Sequence, residues 1–310
     1  MQMDVATPVS PLLIEYAQTL ETKAAGTVDV YLRILRQLTA WIAARPGSAA
    51  AFAPAQLTWT ALELYLSELA ATGYSISHRA RVKAVVSGFA CWLIDDKGLL
   101  QRNPARQVRV PAQPLLPPRQ LSDDQRYVLR TLIERDGTAR GAALFALGYW
   151  AGCRVSDIAW LLWDETHLTP RTGWVRLGHK GGKTRDLDLH STVRQPLSYY
   201  LQHGGRDPES AYVFTSQRAA RLTEAGIHHW FRGVKALATR EEWAFIHDVT
   251  FHDLRHDFAH RARTAGWSLE EVAYYLGHIT TRGTPAIGTT ARYMQASREH
   301  VKEQLARLGG

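Results

Sequence analysis

The feature that most constrains the fold of this chain is a proline-rich stretch, PAQPLLPPRQ, at residues 111–120. Proline fixes φ and lacks a backbone N–H, so neither a helix nor an interior strand can continue through four prolines in ten residues. The stretch is therefore predicted to be an extended linker. It separates a first domain, residues 1–110, from a second, residues 121–310, and the chain is long enough for two hydrophobic cores.

The net charge and the cysteine content narrow the class of protein. The formal charge is +8, which favours an anionic partner such as nucleic acid. The two cysteines, Cys91 and Cys153, are too few for a disulfide framework or a Cys-rich zinc site. The amino terminus lacks the pattern of a signal peptide, and the longest apolar run, residues 141–153, is too short to span a membrane. We therefore expect a cytoplasmic protein with no membrane partner.

The first domain is predicted to be helical. Its segments TVDVYLRILRQLTAWIAAR and SISHRARVKAVVSGFACWLI repeat apolar residues at spacings of three and four, as an amphipathic helix does. Basic residues cluster on the first turns of the second segment, and others precede the linker. They form either a solvated helix face or, beside a basic second domain, a contact with the DNA backbone. The candidates for that contact are Arg79, Arg81, Lys83 and Arg106.

The second domain is predicted to be mostly helical with a small antiparallel sheet. The segment LSDDQRYVLRTLIERDG begins with a Ser/Asp cap signal and continues as an amphipathic helix, and an apolar helix follows at residues 142–150. The segment GWVRLGHKGGKTRDLDLH has two strand-like arms, near residues 173–178 and 184–189, around the glycine-rich turn HKGGK. After residue 190 the pattern is helical again.

One predicted helix, FHDLRHDFAHRA at residues 251–262, combines an apolar stripe with imidazoles and guanidiniums. His252 and Arg255, three residues apart, are expected to project together from the face next to the stripe. The apolar stripe allows the helix to pack in the core. The polar pair is not needed for this packing and therefore indicates a further function. The stripe consists of Phe251, Leu254, Phe258 and Ala262.

The histidines of this helix also have the spacing of two zinc ligands, at His252 and His256. A zinc-protease helix places a glutamate after the first histidine, and here Asp253 stands in its place. The cation of Arg255 would repel a metal, so no metal site is predicted. The remaining polar residues of the segment, His260 and Arg261, are expected at the surface.

Five short segments occur in order along the second domain: AGCRVSDIAWL, GHKGGKTR, HDLRH, YYLGH and TTARYM. Together they resemble the motifs of the tyrosine recombinases, or phage integrases, a family of DNA strand-exchange enzymes; the nearest likeness is to Xer-type and mobile-element integrases. The resemblance covers residues 119–300 motif by motif and is only architectural before residue 110. It implies a helical core-binding domain and a catalytic domain that form a C-shaped clamp around duplex DNA.

The resemblance also implies roles for individual side chains, carried over one position at a time. Asp157 stands where the family often has glutamate and is expected to support the first arginine, and His256 is expected to support the site by hydrogen bonding. Lys183 can occupy the same region as Lys180 and is otherwise a DNA-binding candidate. The six expected catalytic residues are Arg154, Lys180, His252, Arg255, His278 and Tyr293.

These residue types suit the cleavage of a phosphodiester without a metal or other cofactor. Two guanidiniums match the geometry of phosphate oxygens, and Tyr293 is the expected nucleophile of a 3′-phosphotyrosyl intermediate. His252 is the expected base, Lys180 the acid for the leaving 5′-oxygen, and His278 a hydrogen-bond donor to the phosphate. Because the covalent intermediate keeps the bond energy, rejoining needs no ATP.

The implied partners are double-stranded DNA with specific recombination sites and further copies of the chain, in a homotetramer acting on two sites; whether accessory proteins also take part is left open by the sequence. The protein is expected to be nucleoid-associated and of prokaryotic or viral origin. Two alternatives remain open: a type IB topoisomerase that relaxes a single duplex, and a catalytically silent DNA-binding protein of the same fold. The compact two-domain form and the LGH motif argue against the first, and six intact positions argue against the second.

The stretch between His278 and Tyr293, ITTRGTPAIGTTAR, is longer than the family usually has. Its glycines and proline predict a loop, and we expect Tyr293 to dock only in the assembled complex. The C-terminal segment MQASREHVKEQLARLGG is a predicted helix that packs either on a neighbouring protomer or on its own domain.

Overall fold

The computed structural model describes residues 11–48, 51–113, 119–178, 184–216 and 219–278. The chain divides into two compact units, Met1–Pro114 and Leu115–Gly310. The division falls inside the proline-rich stretch, and residues 111–113 and 119–120 have no regular secondary structure. The middle of the predicted linker, residues 114–118, lies outside the described residues.

In the described part of the first unit, helices surround an apolar core. They are α1 (Pro11–Gln18), α2 (Ala25–Ala43), α3 (Trp59–Ala71) and α4 (Ile76–Asp95), with single turns of 3₁₀ helix at Pro54–Gln56 and Pro104–Arg106. The hydroxyls of Thr58 and Ser75 cap α3 and α4 by accepting backbone N–H groups of the first turn. The two amphipathic segments predicted from the sequence are α2 and α4, and both bury their apolar faces in this core.

Helix α4 keeps its apolar and basic side chains on different faces. Val82 and Phe89 are buried, whereas Arg81 is exposed and Arg79 and Lys83 are partly exposed. The basic residues singled out from the sequence therefore lie at the edge of the first unit, where a partner can reach them.

The turn that carries the exposed Arg106 is fastened to α4 by one buried amide side chain. Asn103 Nδ2 donates to the carbonyl oxygen of Ser87 at 3.0 Å, and Asn103 Oδ1 accepts from the N–H of Ala105 at 3.0 Å. The turn that carries Arg106 is thus held against α4.

The second unit is mainly helical, as predicted. Its described helices are α5 (Asp123–Asp136), α6 (Ala139–Tyr149), α7 (Val155–Ala159), α8 (Ser191–His203), α9 (Glu224–Lys235), α10 (Arg240–Ile246), α11 (Phe251–Thr264) and α12 (Leu269–Leu276). The predicted cap of α5 is confirmed: Ser122 Oγ accepts from Gln125 N–H at 3.2 Å, and Gln125 Oε1 accepts from Ser122 N–H at 3.0 Å. The apolar helix α6 is almost entirely buried and packs against α5, α8 and α11.

The described strands form one antiparallel sheet in the order β1 (Thr166–Leu168), β2 (Gly173–Leu177) and β3 (Arg185–Asp188). The predicted hairpin is confirmed by the pairing of β2 with β3, which ends at the pair Leu177 and Arg185. Strand β1 was not predicted, because three residues are too few to show an alternating pattern. The described fold is therefore mainly α with a small antiparallel sheet, and none of its described helices is long and apolar enough to cross a membrane.

Candidate active site

Helix α11 carries the central residues of the site and begins at a well-defined cap. The carboxylate of Asp253 accepts from the N–H of Thr250 at 2.7 Å and from its hydroxyl at 2.8 Å. The predicted apolar stripe is buried, with Leu254 fully inside the core and Phe251 only 1% exposed. This packing fixes the rotation of α11 and therefore the directions in which its polar residues point.

The loop before α11 is held by a buried lysine from α9. Lys235 Nζ donates to the carbonyl oxygens of His247 and Val249, each at 2.8 Å. Burial lowers the pKa of this ammonium, but its two carbonyl partners compensate part of the desolvation. Lys235 thus anchors the chain just before the helix that presents His252.

Arg255 is buried far more deeply than a residue on a polar helix edge. Only 1% of it is exposed. Its Nη1 donates to the carbonyl oxygen of Gly152 at 2.6 Å, and its Nη2 donates to that of Leu276 at 2.7 Å. The same Nη2 lies 2.9 Å from His278 Nε2. The expectation that His252 and Arg255 share one outer face is therefore corrected, since His252 is exposed and Arg255 lies inside the protein.

Two glycines allow the backbone to approach this guanidinium. Gly152 has φ of +61°, and a Cβ there would lie 2.8 Å from side-chain carbons of both Phe258 and Leu276. Gly277 has φ of +68° and ends α12, where the N–H of His278 reaches back to the carbonyl oxygen of Ala273 at 2.8 Å. The segments AGCR and LGH thus each place one backbone carbonyl against Arg255.

His278 is neutral in this arrangement. A guanidinium nitrogen can only donate, so His278 Nε2 accepts from Arg255 and the ring proton is on Nδ1. Burial, followed by the charges of Arg255, Arg154 and Arg185, lowers the pKa of His278 to about 3. If His278 donates to a phosphate, as the sequence led us to expect, Nδ1 is the atom that does so.

His252 and His256 lie edge to face on α11, with ring centroids 4.5 Å apart. Crowding of the His252 ring by protein, followed by the charges of Arg255 and Arg154, lowers its pKa, although part of the side chain reaches solvent. Burial, followed by the charge on His252, lowers the pKa of His256 to about 4. Both imidazoles are therefore mainly neutral at pH 7, and a neutral imidazole can accept a proton.

Arg154 stands at the amino-terminal end of α7, close to Asp157 and a second arginine. Asp157 was expected to support the Arg154 guanidinium, but its Oδ2 lies 3.9 Å from Arg154 Nη1. The same oxygen accepts from Arg185 Nη2 at 2.8 Å and from the backbone N–H of Arg154 at 3.3 Å. The main side-chain partner of Asp157 is therefore Arg185, which sequence reasoning treated only as part of a strand.

The structure brings Arg154, His252, Arg255 and His278 into one neighbourhood: the charges of both arginines act on both histidines. Lys180 and Lys183 lie outside the described residues, on the segment that joins β2 to β3. Tyr293, the loop before it and the C-terminal tail also lie outside the described residues. The candidates Arg79, Arg81, Lys83 and Arg106 all belong to the first unit.

The family model named phage integrase family matches residues 121–300, which is more than half of the chain. This chain belongs to the phage integrase family. The prediction of a tyrosine site-specific recombinase is thereby confirmed.

Known tyrosine recombinases resemble this integrase along most of their length. A protein named tyrosine recombinase XerC from Neisseria meningitidis serogroup C is 29% identical over 290 residues, which cover 91% of this chain and 88% of the relative. Another protein of that name, from Pseudomonas aeruginosa strain LESB58, is 29% identical over 296 residues, which cover 93% of this chain and 90% of the relative.

Solved structures share the fold. The integrase of transposon Tn1549, in complex with transposon right end DNA, matches with a TM-score of 0.74 at 15% identity, covering 97% of this chain and 99% of that one. A lambda integrase dimer bound to a COC′ core site matches with a TM-score of 0.67 at 16% identity, covering 92% and 76%.

A second expectation about α11 of this integrase is corrected. Arg261 was expected at the surface, but only 23% of its side chain is exposed: its Nε donates to the fully buried Asp257 at 2.8 Å, and its guanidinium lies 4.1 Å from the ring centre of Tyr149. Asp257 also accepts from Arg126 at 2.7 Å and from the N–H of Leu121 at 3.2 Å. This cluster ties α11 to α5 and α6.

No metal-binding group of three or more His, Cys, Asp or Glu side chains occurs within the described ranges of the integrase. Asp253, which follows the first histidine of the HDLRH motif, is used to cap α11. The pair His252 and His256 therefore has no acidic third ligand beside it from this motif.

Proposed function

We propose that this recombinase cleaves and rejoins DNA strands through a covalent 3′-phosphotyrosyl bond to Tyr293, without a metal ion or ATP. The observation that carries the proposal is the placement of Arg255. Its buried guanidinium is held by the carbonyls of Gly152 and Leu276, beside His278 and in the same neighbourhood as Arg154. A guanidinium fixed in this way does not have to reorganise when negative charge develops on a phosphate.

Arg154 and Arg255 would supply the charge that a metal supplies in other phosphoryl-transfer sites. Both stay cationic at any working pH, and the planar donor geometry of a guanidinium matches that of phosphate oxygens. Arg154 has a partly exposed side chain, while Arg255 is buried and held by two backbone carbonyls. Removing one preorganised donor from such a site costs on the order of 10²–10³ in rate.

The proton transfers require a base and an acid. A tyrosine hydroxyl with a pKa near 10 is only about 0.1% ionised at pH 7, so Tyr293 needs help. His252, whose pKa is lowered, is the proposed base and accepts the hydroxyl proton. Lys180 is the proposed acid that protonates the leaving 5′-oxygen, with Lys183 as the alternative. His278 donates to a phosphate oxygen through Nδ1.

The proposed substrate is double-stranded DNA with specific sites, bound by four protomers at two sites. Support comes from the related structures, which include a lambda integrase tetramer bound to a Holliday junction, at 16% identity and a TM-score of 0.67. The proposed backbone contacts of the first unit are Arg79, Arg81, Lys83 and Arg106 on and beside α4. Accessory proteins remain a proposed further partner.

The test uses nicked duplexes that carry the sequences flanking the gene. Loss of the short strand beyond the nick traps the covalent intermediate, so the wild-type protein should form a protein–DNA adduct stable in denaturant. Tyr293→Phe should form none, because phenylalanine has no nucleophilic oxygen. The matched control is Tyr274→Phe, which removes a hydroxyl from an exposed tyrosine of α12 and should leave the adduct intact.

Binding of these duplexes by the wild-type protein without any adduct would favour a silent DNA-binding protein. An adduct that persists in Tyr293→Phe would assign the nucleophile to another residue. Relaxation of supercoiled plasmids that lack the site, without joining of two duplexes, would favour a topoisomerase.

A further inference from the structure

Arg185 has no role in the mechanism proposed above. It is the first residue of β3 and pairs with Leu177, the last residue of β2. The segment between them carries both Lys180 and Lys183. The carboxyl-terminal end of that segment leads into β3 at Arg185. The contacts that hold Arg185 therefore hold this end of the segment as well.

The side chain of Arg185 joins the hairpin to α7. Its guanidinium is mostly buried, with 16% of the side chain exposed, and Nη2 donates to Asp157 Oδ2 at 2.8 Å. That oxygen also accepts from the backbone N–H of Arg154 at 3.3 Å. One carboxylate oxygen therefore links the base of the hairpin to the residue that begins α7.

The same guanidinium lies directly on the LGH segment. A Cβ placed on Gly277 would lie 2.7 Å from Arg185 Nη1 and 2.8 Å from Arg185 Cδ, closer than real Cβ contacts allow. Gly277 precedes His278, so Arg185 is in contact with the backbone that positions this ring. Arg185 thus touches the neighbourhood of two candidate catalytic residues without being one of them.

We propose that Arg185 is a positioning residue: it locks the base of the lysine-bearing hairpin to Asp157 and Gly277, so that the lysine meets the leaving 5′-oxygen. The inference rests on the proposed function. In the cleavage step the Tyr293 hydroxyl gives its proton to His252 and its oxygen forms a bond to phosphorus. The bond from phosphorus to the 5′-oxygen breaks, and a lysine ammonium gives its proton to that oxygen. Displacement by about 1 Å of a positioned group costs on the order of 10²-fold in rate.

A second substrate separates this role from general damage to the site. When sulfur replaces the bridging 5′-oxygen, the leaving group is a thiolate, which is stable without a proton. The acid is then dispensable, whereas the contacts of Arg154, Arg255 and His278 with the phosphate are still needed. Loss of the lysine's position should therefore slow cleavage of the oxygen substrate and spare the sulfur substrate.

The experiment measures single-turnover adduct formation on the nicked flanking duplex that the wild-type protein cleaves, in its oxygen and 5′-sulfur forms. We expect Arg185→Ala to cleave the oxygen form about 10²-fold more slowly than wild type, and the sulfur form within a few-fold of wild type. Arg185→Lys, which keeps one donor for Asp157, should recover part of the loss. The matched control is Arg176→Ala on β2, which removes an exposed arginine paired with Asp186 in the same sheet and should cleave both forms like wild type.

Equal slowing of both substrate forms by Arg185→Ala would overturn the proposal, because the defect would then lie in the phosphate contacts. Unchanged rates on both forms would overturn it as well. If Arg185→Ala does not fold, as judged by its thermal unfolding, the ratio of the two rates in Arg185→Lys decides: a lower rate on the oxygen form alone supports the proposal. Failure of the proposed function is a separate result, since the wild-type protein would then form no adduct on either form.

Discussion

The two units of this recombinase keep their charged groups in different places. Among the described residues, the buried polar side chains of the first unit are neutral, at Thr39 and Asn103, and its arginines and lysines are exposed or partly exposed. The second unit buries ionisable groups deep in its interior: Lys235, Arg255, Asp257 and His278.

Exposed and buried charged groups suit different functions. An exposed cation keeps its hydration and adapts to a partner, which suits contact with a DNA backbone. A buried ion costs several kcal/mol unless it is fully hydrogen-bonded, and Lys235, Arg255 and Asp257 each have at least two such partners. Such groups cannot reorganise, and stabilisation of a transition state requires charges that are already in place.

The largest effect is expected when the buried guanidinium is replaced by an ammonium. Arg255→Lys keeps the charge but replaces two separate donor nitrogens, one bonded to Gly152 and the other to Leu276, by a single nitrogen on a different side chain, so the two bonds cannot both keep their geometry. Adduct formation on a nicked duplex should slow on the order of 10²–10³-fold. The free energy of unfolding in urea should fall by about 1–3 kcal/mol.

The same exchange in the first unit provides the contrast. Arg81→Lys on the exposed face of α4 should change the free energy of unfolding by less than about 0.5 kcal/mol. If Arg255→Lys proves as stable and active as Arg81→Lys, the distinction between the two units fails.

A smaller effect concerns stability in acid. Because the folded pKa of His278 is about 3, against about 6.5 in an unfolded chain, the unfolded state binds more protons below pH 6.5. The contribution of neutral His278 is thus complete above pH 6.5 and is lost as the pH falls toward 3, by about 2 kcal/mol at pH 5. Urea unfolding at pH 7 and pH 5 should show this loss.

In His278→Gln, whose side-chain oxygen can still accept from Arg255, the loss between pH 7 and pH 5 should be smaller by about the same amount. The control His203→Gln, at an exposed histidine of α8, should lose as much stability as wild type. Identical losses in wild type and His278→Gln would contradict a neutral, buried His278.

The smallest effect is expected from the first unit. Arg81→Ala and Lys83→Ala each remove a cation that can neutralise one DNA phosphate. Each variant should therefore reduce the slope of log affinity against log salt by about 1, with modestly weaker binding to every sequence.

Fluorescence anisotropy with a labelled duplex, at several salt concentrations, measures this slope. Arg45→Ala, which removes an arginine paired with Glu68, is the control and should keep the slope. If both α4 variants keep the wild-type slope, Arg81 and Lys83 do not contact the DNA backbone.

Periodic patterns predicted most of the fold and part of the site. The helices with strong apolar periodicity, the cap at Ser122 and the β2–β3 hairpin all follow from local spacing. The burial of Arg255 does not follow from local spacing, because its partners Gly152 and Leu276 belong to segments that meet only in the folded unit. The motifs indicated that these segments matter, but not which backbone atoms they contribute.

Two further differences between prediction and structure have the same cause. Arg261 was expected at the surface of α11, but its partners are Asp257, on its own helix, and the backbone of Tyr149, which lies far away in the chain. Arg185 stands in a quoted motif, yet the alternating pattern of a strand gives no sign that Asp157 and Gly277 converge on it. Local spacing does not predict the role of a side chain when that role depends on long-range contacts.

The hydrogen bonds of Arg255 also have a consequence for the chain during its synthesis. The acceptor at Gly152 is made about a hundred residues before the arginine, and the acceptor at Leu276 is made after it. A growing chain that ends before Leu276 therefore cannot settle this guanidinium in its final place. Nascent chains should therefore cleave no DNA until almost all of the second unit has left the ribosome.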